Sequence, residues 1–412
     1  MGISLPFLIL VVAGGLCALL VPVSRVIARA VGVLDNPGGR KIHHEPTPRL
    51  GGIALVLSFV GVVLSGYLLI PELLAIPWLE AAFGNEIRLL AEAHRVEPQL
   101  LALLLGGVVV FGVGLLDDFL GNRFPVALKA GGQVAAALIL IFGGGVTISF
   151  LPYEWMNAAV TLLWIVGMTN AFNLLDNMDG LSSGVALVAS GILALNAWFL
   201  GEYFITLIFA TFMGSLAGFL LFNFKPASVF LGDCGSLFIG YMMGSLTIFQ
   251  SYVSASSSTL FPVLMPVLVL AVPIVDTATV VAIRMRERRP IYVGDSRHLS
   301  HRLVSMGYSQ RAAVLFIYLV TASLGLGAFA LVDATPAQSV LILLQATGFV
   351  TLILILMFGT PIARSANVHE PLPRADHSAP AGADQPGPGN TDPRVYSGLG
   401  GSRRRAVVGV KS

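Results

Sequence analysis

The chain has 412 residues, of which 56% are hydrophobic and 11% are charged, and its mean hydropathy is +0.84. Soluble domains carry about 25% charged residues, so this composition excludes a water-soluble globular protein. The formal net charge of +2 is too small to indicate a nucleic-acid-binding protein. The two cysteines, Cys17 and Cys234, lie far apart and indicate no disulfide framework. The composition therefore predicts an all-α, polytopic integral membrane protein.

Apolar segments of about 20 residues, the length that spans a bilayer as a helix, recur along most of the chain. They predict about 10–11 transmembrane helices, near residues 4–24, 51–70, 99–116, 126–144, 157–172, 181–200, 203–223, 235–254, 260–283, 312–332 and 338–359. No basic residue precedes the first segment, so we do not expect a cleaved signal peptide. Residues 1–360 form the predicted transmembrane domain, and residues 361–412, which lack an apolar run, are predicted to be a disordered cytoplasmic tail.

The distribution of basic residues predicts the orientation of these spans. Arg25 and Arg29 follow the first span, which places that end in the cytoplasm and the N-terminus outside. When the loops alternate from there, 22 of the 24 Lys and Arg residues fall on the inner side, and Arg88 and Arg95 are the exceptions. The C-terminus and the polar segments described next are therefore predicted to be cytoplasmic.

The first inner loop, residues 35–52, is cationic and rich in proline and glycine, which predicts an irregular loop. Its basic residues include Lys41 and His43. Two explanations of these basic residues are open: they bind a ligand, or their positive charge serves only to orient the spans in the membrane.

The third span ends in the adjacent acids Asp117 and Asp118, and Lys129 follows at the start of the fourth span. Neighbouring carboxylates beside an apolar helix repel each other unless they share a cation or a proton. This arrangement favours a functional site over a simple end to the span.

At the inner end of the fifth span, four polar residues recur at every third position: Asn170, Asn173, Asp176 and Asp179. On a helix this spacing brings the side chains to one side. Before the eighth span, Asp233 lies on a glycine-rich turn. Asp233 is interpreted either as a helix cap or as an acid that binds a metal or faces a phosphate.

The last inner loop, residues 284–303, combines histidines with arginines, among them Arg297, His298, His301 and Arg302. A zinc site is one interpretation, but the arginines disfavour a cation and suit a phosphate-rich ligand. Five inner segments thus supply carboxylates, amides and basic groups to one membrane face. That combination is typical of Mg²⁺-dependent phosphoryl transfer to or from an anionic substrate.

Two other classes of protein are weighed against an enzyme. A transporter of lipid-linked sugars or anions should place ionisable groups near the middle of its spans, and only Asp276 lies deep in a long apolar run. A scaffold that recruits partners through its loops does not explain so many acids beside apolar helices.

Five motifs occur in order within residues 1–360: R-K-x-H with P-x-P-R-x-G-G, the Asp-Asp pair, N-x-x-N-x-x-D-x-x-D-G-L, F-x-G-D-x-G-S, and the histidine-containing last loop. In these motifs the chain resembles the polyprenyl-phosphate N-acetylhexosamine-1-phosphate transferases, membrane enzymes that start bacterial cell-envelope polymers such as teichoic acids and enterobacterial common antigen. The residues of the first and last motifs are most similar to those of the N-acetylglucosamine-1-phosphate transferases. The phospho-MurNAc-pentapeptide transferases of peptidoglycan synthesis, which show three successive histidines, are the alternative.

The resemblance implies transfer of N-acetylglucosamine 1-phosphate, or a related N-acetylhexosamine 1-phosphate, from a UDP-sugar to undecaprenyl phosphate in the bacterial cytoplasmic membrane. UMP is released, and Mg²⁺ or Mn²⁺ is the implied cofactor. Direct attack by the lipid phosphate is favoured, while a covalent intermediate on an Asp stays open, as does a homodimer.

The resemblance also implies roles for single residues. Asp117, Asp118 and Asp233 are the implied catalytic residues, with Asp117 as the base. Asp233 and Asn173 are the implied Mg²⁺ ligands, and Phe230 is implied to stack on uracil. The implied substrate-binding residues are Lys41, His43, Lys129, Asn170, Asn173, Asp176, Asp179, Phe230, Arg297, His298, His301 and Arg302.

Two positions depart from the family pattern. Asn177 replaces a residue that is usually glycine, and Ser300 replaces the middle histidine of H-x-H-H. The second departure bears on the donor sugar more than on the reaction.

Overall fold

The apolar runs fold as helices because a bilayer offers no hydrogen-bond partners, so each backbone N–H and C=O bonds within its own segment. A computed structural model describes residues 4–35, 46–69, 72–73, 75–91, 96–253, 257–288 and 297–358 of the protein. Those ranges contain fourteen α-helices: α1 (Leu5–Ala30), α2 (Gly51–Leu68), α3 (Pro77–Ala91), α4 (Glu97–Leu120), α5 (Val126–Leu138), α6 (Glu154–Leu175), α7 (Leu181–Phe199), α8 (Tyr203–Asn223), α9 (Gly232–Phe249), α10 (Met265–Val269), α11 (Ala271–Arg286), α12 (Leu299–Ser305), α13 (Gln310–Ala330) and α14 (Pro336–Phe358). The strands in the same ranges are β1 (Leu34–Asp35) and β2 (Thr47–Pro48), which pair antiparallel between α1 and α2.

Nine helical segments in this described part of the chain are long and apolar enough to cross a bilayer: α1, α2, α4, α5 with its π-helical extension, α6, α7, α8, α13 and α14. A tenth span results when the bent pair Phe261–Val269 and Ala271–Arg286 is counted as one. The prediction of an all-α, polytopic membrane protein is confirmed. The predicted tail, residues 361–412, lies outside the described residues.

The predicted span at 235–254 forms α9, which is not among those nine because Gly, Ser and Asp residues lower its hydropathy. All residues from Cys234 to Thr247 are buried, and α9 packs against α2, α4, α6 and α7. Phe238 makes edge-to-face contacts with Phe59 and Phe212, at centroid distances of 5.7 and 6.5 Å. A helix surrounded by protein needs small residues that allow close approach more than it needs an apolar outer face. The central position of α9 puts its N-terminal turn inside the bundle.

The predicted span at 260–283 is bent rather than straight. The segments before and after Leu270 differ in direction by 66°. Pro266 and Pro273 flank the bend, and proline removes a backbone donor and clashes with the preceding helical turn. The second half of this span, α11, carries Asp276.

The outer loop predicted at 71–98 contains a helix that the sequence analysis missed, α3. Its residues Leu79, Phe83 and Ile87 recur every four positions and form a buried cluster with Leu5 of α1 and Leu207 of α8. This four-residue spacing was the available signal for an amphipathic helix. Packing on two neighbouring helices fixes α3 in place.

Candidate active site

The polar residues of separate motifs meet where four helices end or begin. Asp117 and Asp118 lie in the last turn of α4, and Lys129 lies in the first turns of α5. Asn173 lies in the last turn of α6, and Asp233 lies in the first turn of α9. The contacts described below join these four elements into one polar cluster at one end of the bundle.

Lys129 is the centre of this cluster. Its Nζ donates to Asp117 Oδ2 at 2.7 Å and to Asp233 Oδ2 at 2.8 Å. The three side chains are partly accessible, with 18%, 16% and 25% of Lys129, Asp117 and Asp233 exposed. Two carboxylates from helices α4 and α9 therefore share one cation at a position that a ligand can reach.

Asn173 holds Asp233 from the opposite side. Its Nδ2 donates to Asp233 Oδ1 and to Ser236 Oγ, each at 2.8 Å. Both oxygens of Asp233 are thus occupied by donors from different helices. This double contact gives the carboxylate a single orientation.

Asp118 differs from its neighbour Asp117. Its side chain is 0% exposed, and it accepts hydrogen bonds from the backbone N–H groups of Asp233 at 2.9 Å and Cys234 at 3.0 Å. A carboxylate is favourable at the N-terminus of a helix, where backbone donors lack partners. In this structure Asp118 caps α9 and so positions Asp233, while Asp117 points to the accessible side.

The turn before α9 is built on Gly232, whose φ of +74° is unfavourable for residues with a side chain. A Cβ there would also lie 2.2 Å from the backbone oxygen of Arg49. Next to it, Phe230 N–H donates to Pro48 O at 2.8 Å, and Gly51 N–H donates to Phe230 O at 3.0 Å. The backbone of the first inner loop thus fixes the half-buried Phe230 beside the cluster.

Gly114 of α4 packs directly on this turn, which gives a specific prediction. Gly114→Ala should lower activity about 100-fold, because a Cβ there would lie 2.4 Å from Asp233 O and 2.6 Å from Cys234 Cα. Backbone atoms cannot yield as a flexible side chain can, so the turn that carries Asp233 must shift. Gly112→Ala is the matched control in the same helix, since its Cβ would have no neighbour within 4 Å. Equal activity of the two variants in solubilised, folded protein would contradict the prediction.

Asp176 follows the last residue of α6, outside the spanning helix. Desolvation raises the pKa of its carboxyl group to about 8; the negative charge of Asp233 acts in the same direction, and Arg49 opposes it. This raised pKa favours the protonated form of the carboxyl group, which can donate a hydrogen bond to a ligand. Arg49 also lies 3.8 Å from Asp118 Oδ1, so it supplies positive charge beside the acids.

Residues of the last inner loop form a second group around α12. His298 precedes the first residue of α12, and its Nδ1 lies 2.7 Å from Asp276 Oδ2. The other oxygen, Asp276 Oδ1, accepts the backbone N–H of Leu299 at 2.7 Å. With Nδ1 directed at Asp276, Nε2 is the ring nitrogen that can contact a substrate. Asp276 was the acid deep in an apolar span that was weighed for the transporter alternative. In the structure its carboxylate holds His298 and the first turn of α12.

Three further predicted residues lie in this second group. Arg297 forms a two-point ion pair with Glu287, at 2.6 and 2.9 Å. The ring of His301 lies 6.5 Å from that of His298, and Arg302 is buried. The structure therefore brings Arg297 and His298 to the start of α12, beside His301 and Arg302.

The remaining predicted residues have other partners. Asn170 exchanges hydrogen bonds with Gln133 of α5. Asp179 pairs with Lys225 at 3.3 Å and accepts the backbone N–H of Ala227. The two residues predicted in the first inner loop, Lys41 and His43, lie outside the described residues.

Two partners within the site, Ser236 and Gln133, were not among the predicted site residues. Each had a signal, because Ser236 lies three residues after Asp233 and Gln133 lies four residues after Lys129. On a helix these spacings place the side chains on one face. Polar residues on the same helix face as a candidate catalytic residue therefore indicate further members of the site.

The oxygen atoms of the polar cluster are suitable ligands for a hard divalent cation. Across the described ranges, no group of three or more His, Cys, Asp or Glu residues is arranged to hold a metal ion. Mg²⁺, however, is commonly bound by one or two carboxylates and keeps its other positions for water and substrate phosphates. Asp233, with the amide of Asn173, provides such oxygen donors. The Lys129 ammonium group between the two carboxylates shows that this point favours positive charge.

A known family model matches the middle of the chain. The profile described as glycosyl transferase family 4 matches residues 100–251. This stretch contains most of α4, all of α5 to α9 and hence the four elements of the polar cluster.

Three relatives match over most of their length. A Bacillus subtilis protein named "Probable undecaprenyl-phosphate N-acetylglucosaminyl 1-phosphate transferase" is 32% identical over 79% of this chain and 84% of its own. A decaprenyl-phosphate N-acetylglucosaminephosphotransferase of Mycobacterium tuberculosis is 29% identical over 81% of this chain and 85% of its own. An undecaprenyl-phosphate α-N-acetylglucosaminyl 1-phosphate transferase of Escherichia coli K12 is 25% identical, over 73% and 77%.

Proposed function

Since this chain belongs to the polyprenyl-phosphate N-acetylhexosamine-1-phosphate transferases of glycosyl transferase family 4, we propose that it transfers N-acetylglucosamine 1-phosphate to undecaprenyl phosphate. The donor is UDP-N-acetylglucosamine, UMP is released, and the product starts a cell-envelope polysaccharide. The relatives support the lipid acceptor and the sugar by their names. The observation that carries the proposal is the Lys129 ammonium group shared by Asp117 and Asp233.

In the proposed reaction, a phosphate oxygen of the lipid attacks the phosphorus atom that bears the sugar. The bond from this phosphorus to the bridging oxygen breaks, and UMP leaves with that oxygen. Asp117 is the base that accepts the proton of the acceptor phosphate, and its partly accessible side chain supports this role. Lys129 and Arg49 compensate the negative charge of the two phosphate substrates.

We also propose that Asp233 and Asn173 hold Mg²⁺, as their oxygen donors suit this ion. When bound, the ion neutralises charge on the donor's pyrophosphate. Asp118 contributes indirectly, because its hydrogen bonds to the first turn of α9 position Asp233.

The reaction is tested by incubating the purified protein with undecaprenyl phosphate and a panel of UDP-sugars. We expect UMP release with UDP-N-acetylglucosamine and an absolute requirement for a divalent cation, which Mg²⁺ or Mn²⁺ satisfies. Release only with UDP-MurNAc-pentapeptide would support the peptidoglycan enzyme instead. Full turnover in excess EDTA would remove the metal from the proposal, and no release with any donor would overturn the function.

We propose that the N-terminus lies on the outer side of the cytoplasmic membrane and the C-terminus in the cytoplasm. This orientation is based on the distribution of Lys and Arg residues. A cysteine introduced by His94→Cys should react with an impermeant thiol reagent added to intact cells, and one introduced by Gly387→Cys should not. The native Cys17 and Cys234 are buried, so their background reaction should be low. The reverse labelling pattern would show that the orientation is wrong.

A further inference from the structure

A hydrogen bond connects two segments of the site that are 123 residues apart in the sequence. Ser300 Oγ donates to Asn177 Oδ1 at 2.6 Å, and Ser300 is only 1% exposed. Asn177 Nδ2 in turn donates to the backbone oxygen of Leu174 at 3.0 Å. Both ends of the Asn177 amide are therefore used, and its orientation is determined by α6 on one side and α12 on the other.

This bond joins the two groups of candidate donor-binding residues. Asn177 directly follows Asp176 in the turn after α6, close to Asn173. Ser300 lies in the first turn of α12, two residues after His298. Asp276 holds His298 from α11 but makes no connection to the α6 turn by the contacts described for it. The Ser300–Asn177 bond is thus a direct link between the two groups.

We propose that Asn177 and Ser300 are a matched pair of positioning residues that sets the distance between the nucleotide-binding turn and the helix that contacts the donor's phosphates or sugar. They are also the two positions at which the chain departs from the family pattern, so the bond makes both departures one feature. The assignment of the two groups to the donor rests on the proposed function.

The pair acts through other residues, so its loss should affect one substrate selectively. Without the bond, the α6 turn and α12 can each still bind their part of the donor, but their relative position is less restricted. UMP contacts only the nucleotide side, whereas UDP-N-acetylglucosamine reaches both groups. Binding of the complete donor should therefore weaken more than binding of UMP.

The test compares Ser300→Ala, Asn177→Ala and the double variant in the full-length protein. Dissociation constants of UMP and UDP-N-acetylglucosamine are measured by calorimetry, together with kcat and the KM values of both substrates. Each single variant should weaken UDP-N-acetylglucosamine binding by about three- to tenfold, the value of one hydrogen bond. The double variant should be no weaker than the weaker single one, and binding of UMP and the KM for undecaprenyl phosphate should change less than twofold.

Ser305→Ala is the matched control, because Ser305 lies in the same helix and its hydroxyl donates only to Arg302 O of that helix. It should bind both ligands like the wild type. Asn177 is half-buried, so its variant keeps the comparison valid if Ser300→Ala does not fold.

Additive losses in the double variant, or equal weakening of UMP and the complete donor, would overturn the proposed pair. The proposed function fails separately, when the wild type releases no UMP. In that case the binding comparison still decides whether the two residues are coupled.

Discussion

Asp233→Asn should nearly abolish transfer, with a fall in kcat/KM of at least about 10³-fold. The substitution keeps the shape of the side chain but removes the charge that Lys129 and the proposed Mg²⁺ share. Among the described residues, Asp233 is the acid in contact with both Lys129 and Asn173, at 2.8 Å each. No other carboxylate in these contacts can replace it without moving a helix.

Initial rates of UMP release over a range of Mg²⁺ concentrations measure this effect. We expect the variant to lose turnover and Mg²⁺ binding together while it remains folded, since its amide can still accept from Asn173. Asp333→Asn, the same change at an exposed acid between α13 and α14, should behave like the wild type. Retention of more than a tenth of the activity by Asp233→Asn would contradict the proposed role.

Asp117→Asn should slow transfer by roughly 10²–10⁴-fold, the usual contribution of a positioned base. In contrast to Asp233→Asn, it should leave the affinities for UDP-N-acetylglucosamine and Mg²⁺ largely intact. Lys129 keeps its contact with Asp233, and Asp233 keeps its contact with Asn173. The loss should therefore appear in kcat.

The adjacent variant Asp118→Asn is the control for this prediction. Its amide oxygen could accept from one of the backbone N–H groups of Asp233 and Cys234, but its NH2 group would face the other, so stability should fall by about 1–3 kcal/mol. Asp117→Asn should keep the melting temperature of the wild type. If Asp117→Asn and Asp233→Asn weaken donor and Mg²⁺ binding equally, the two acids form one shared site without separate roles. Ping-pong kinetics would favour the covalent intermediate over direct attack.

Much of the candidate site could be predicted from the sequence because polar residues are rare in a chain of this composition. Asp117, Lys129, Asn173 and Asp233 were each recognised from a local motif at the end of an apolar run. The motif itself could not show which of Asp117 and Asp118 is accessible, however, and only the family resemblance favoured Asp117 as the base. Consecutive residues on a helix point about 100° apart, and only the neighbouring helix decides which of them is buried.

Contacts between distant segments were beyond sequence reasoning for the same reason. His298 was recognised from its loop, but its partner Asp276 was interpreted only as a deep acid in a span. The two departures from the family pattern, Asn177 and Ser300, gave no sign of being in contact. Pairwise contacts of this kind depend on how helices pack, and one sequence contains no direct record of packing.

The sequence by itself determined the membrane class, the approximate spans and the polar segments, because the bilayer imposes a length and an apolar composition on every lipid-facing helix. The tertiary structure alone decided that α9 is central, that Lys129 lies between two carboxylates, and that Asp118 caps α9. Lipid makes no distinction between one apolar helix and another, so it does not determine their neighbours. Close packing does, through small residues such as Gly114 that let the backbone of α4 approach the turn that carries Asp233.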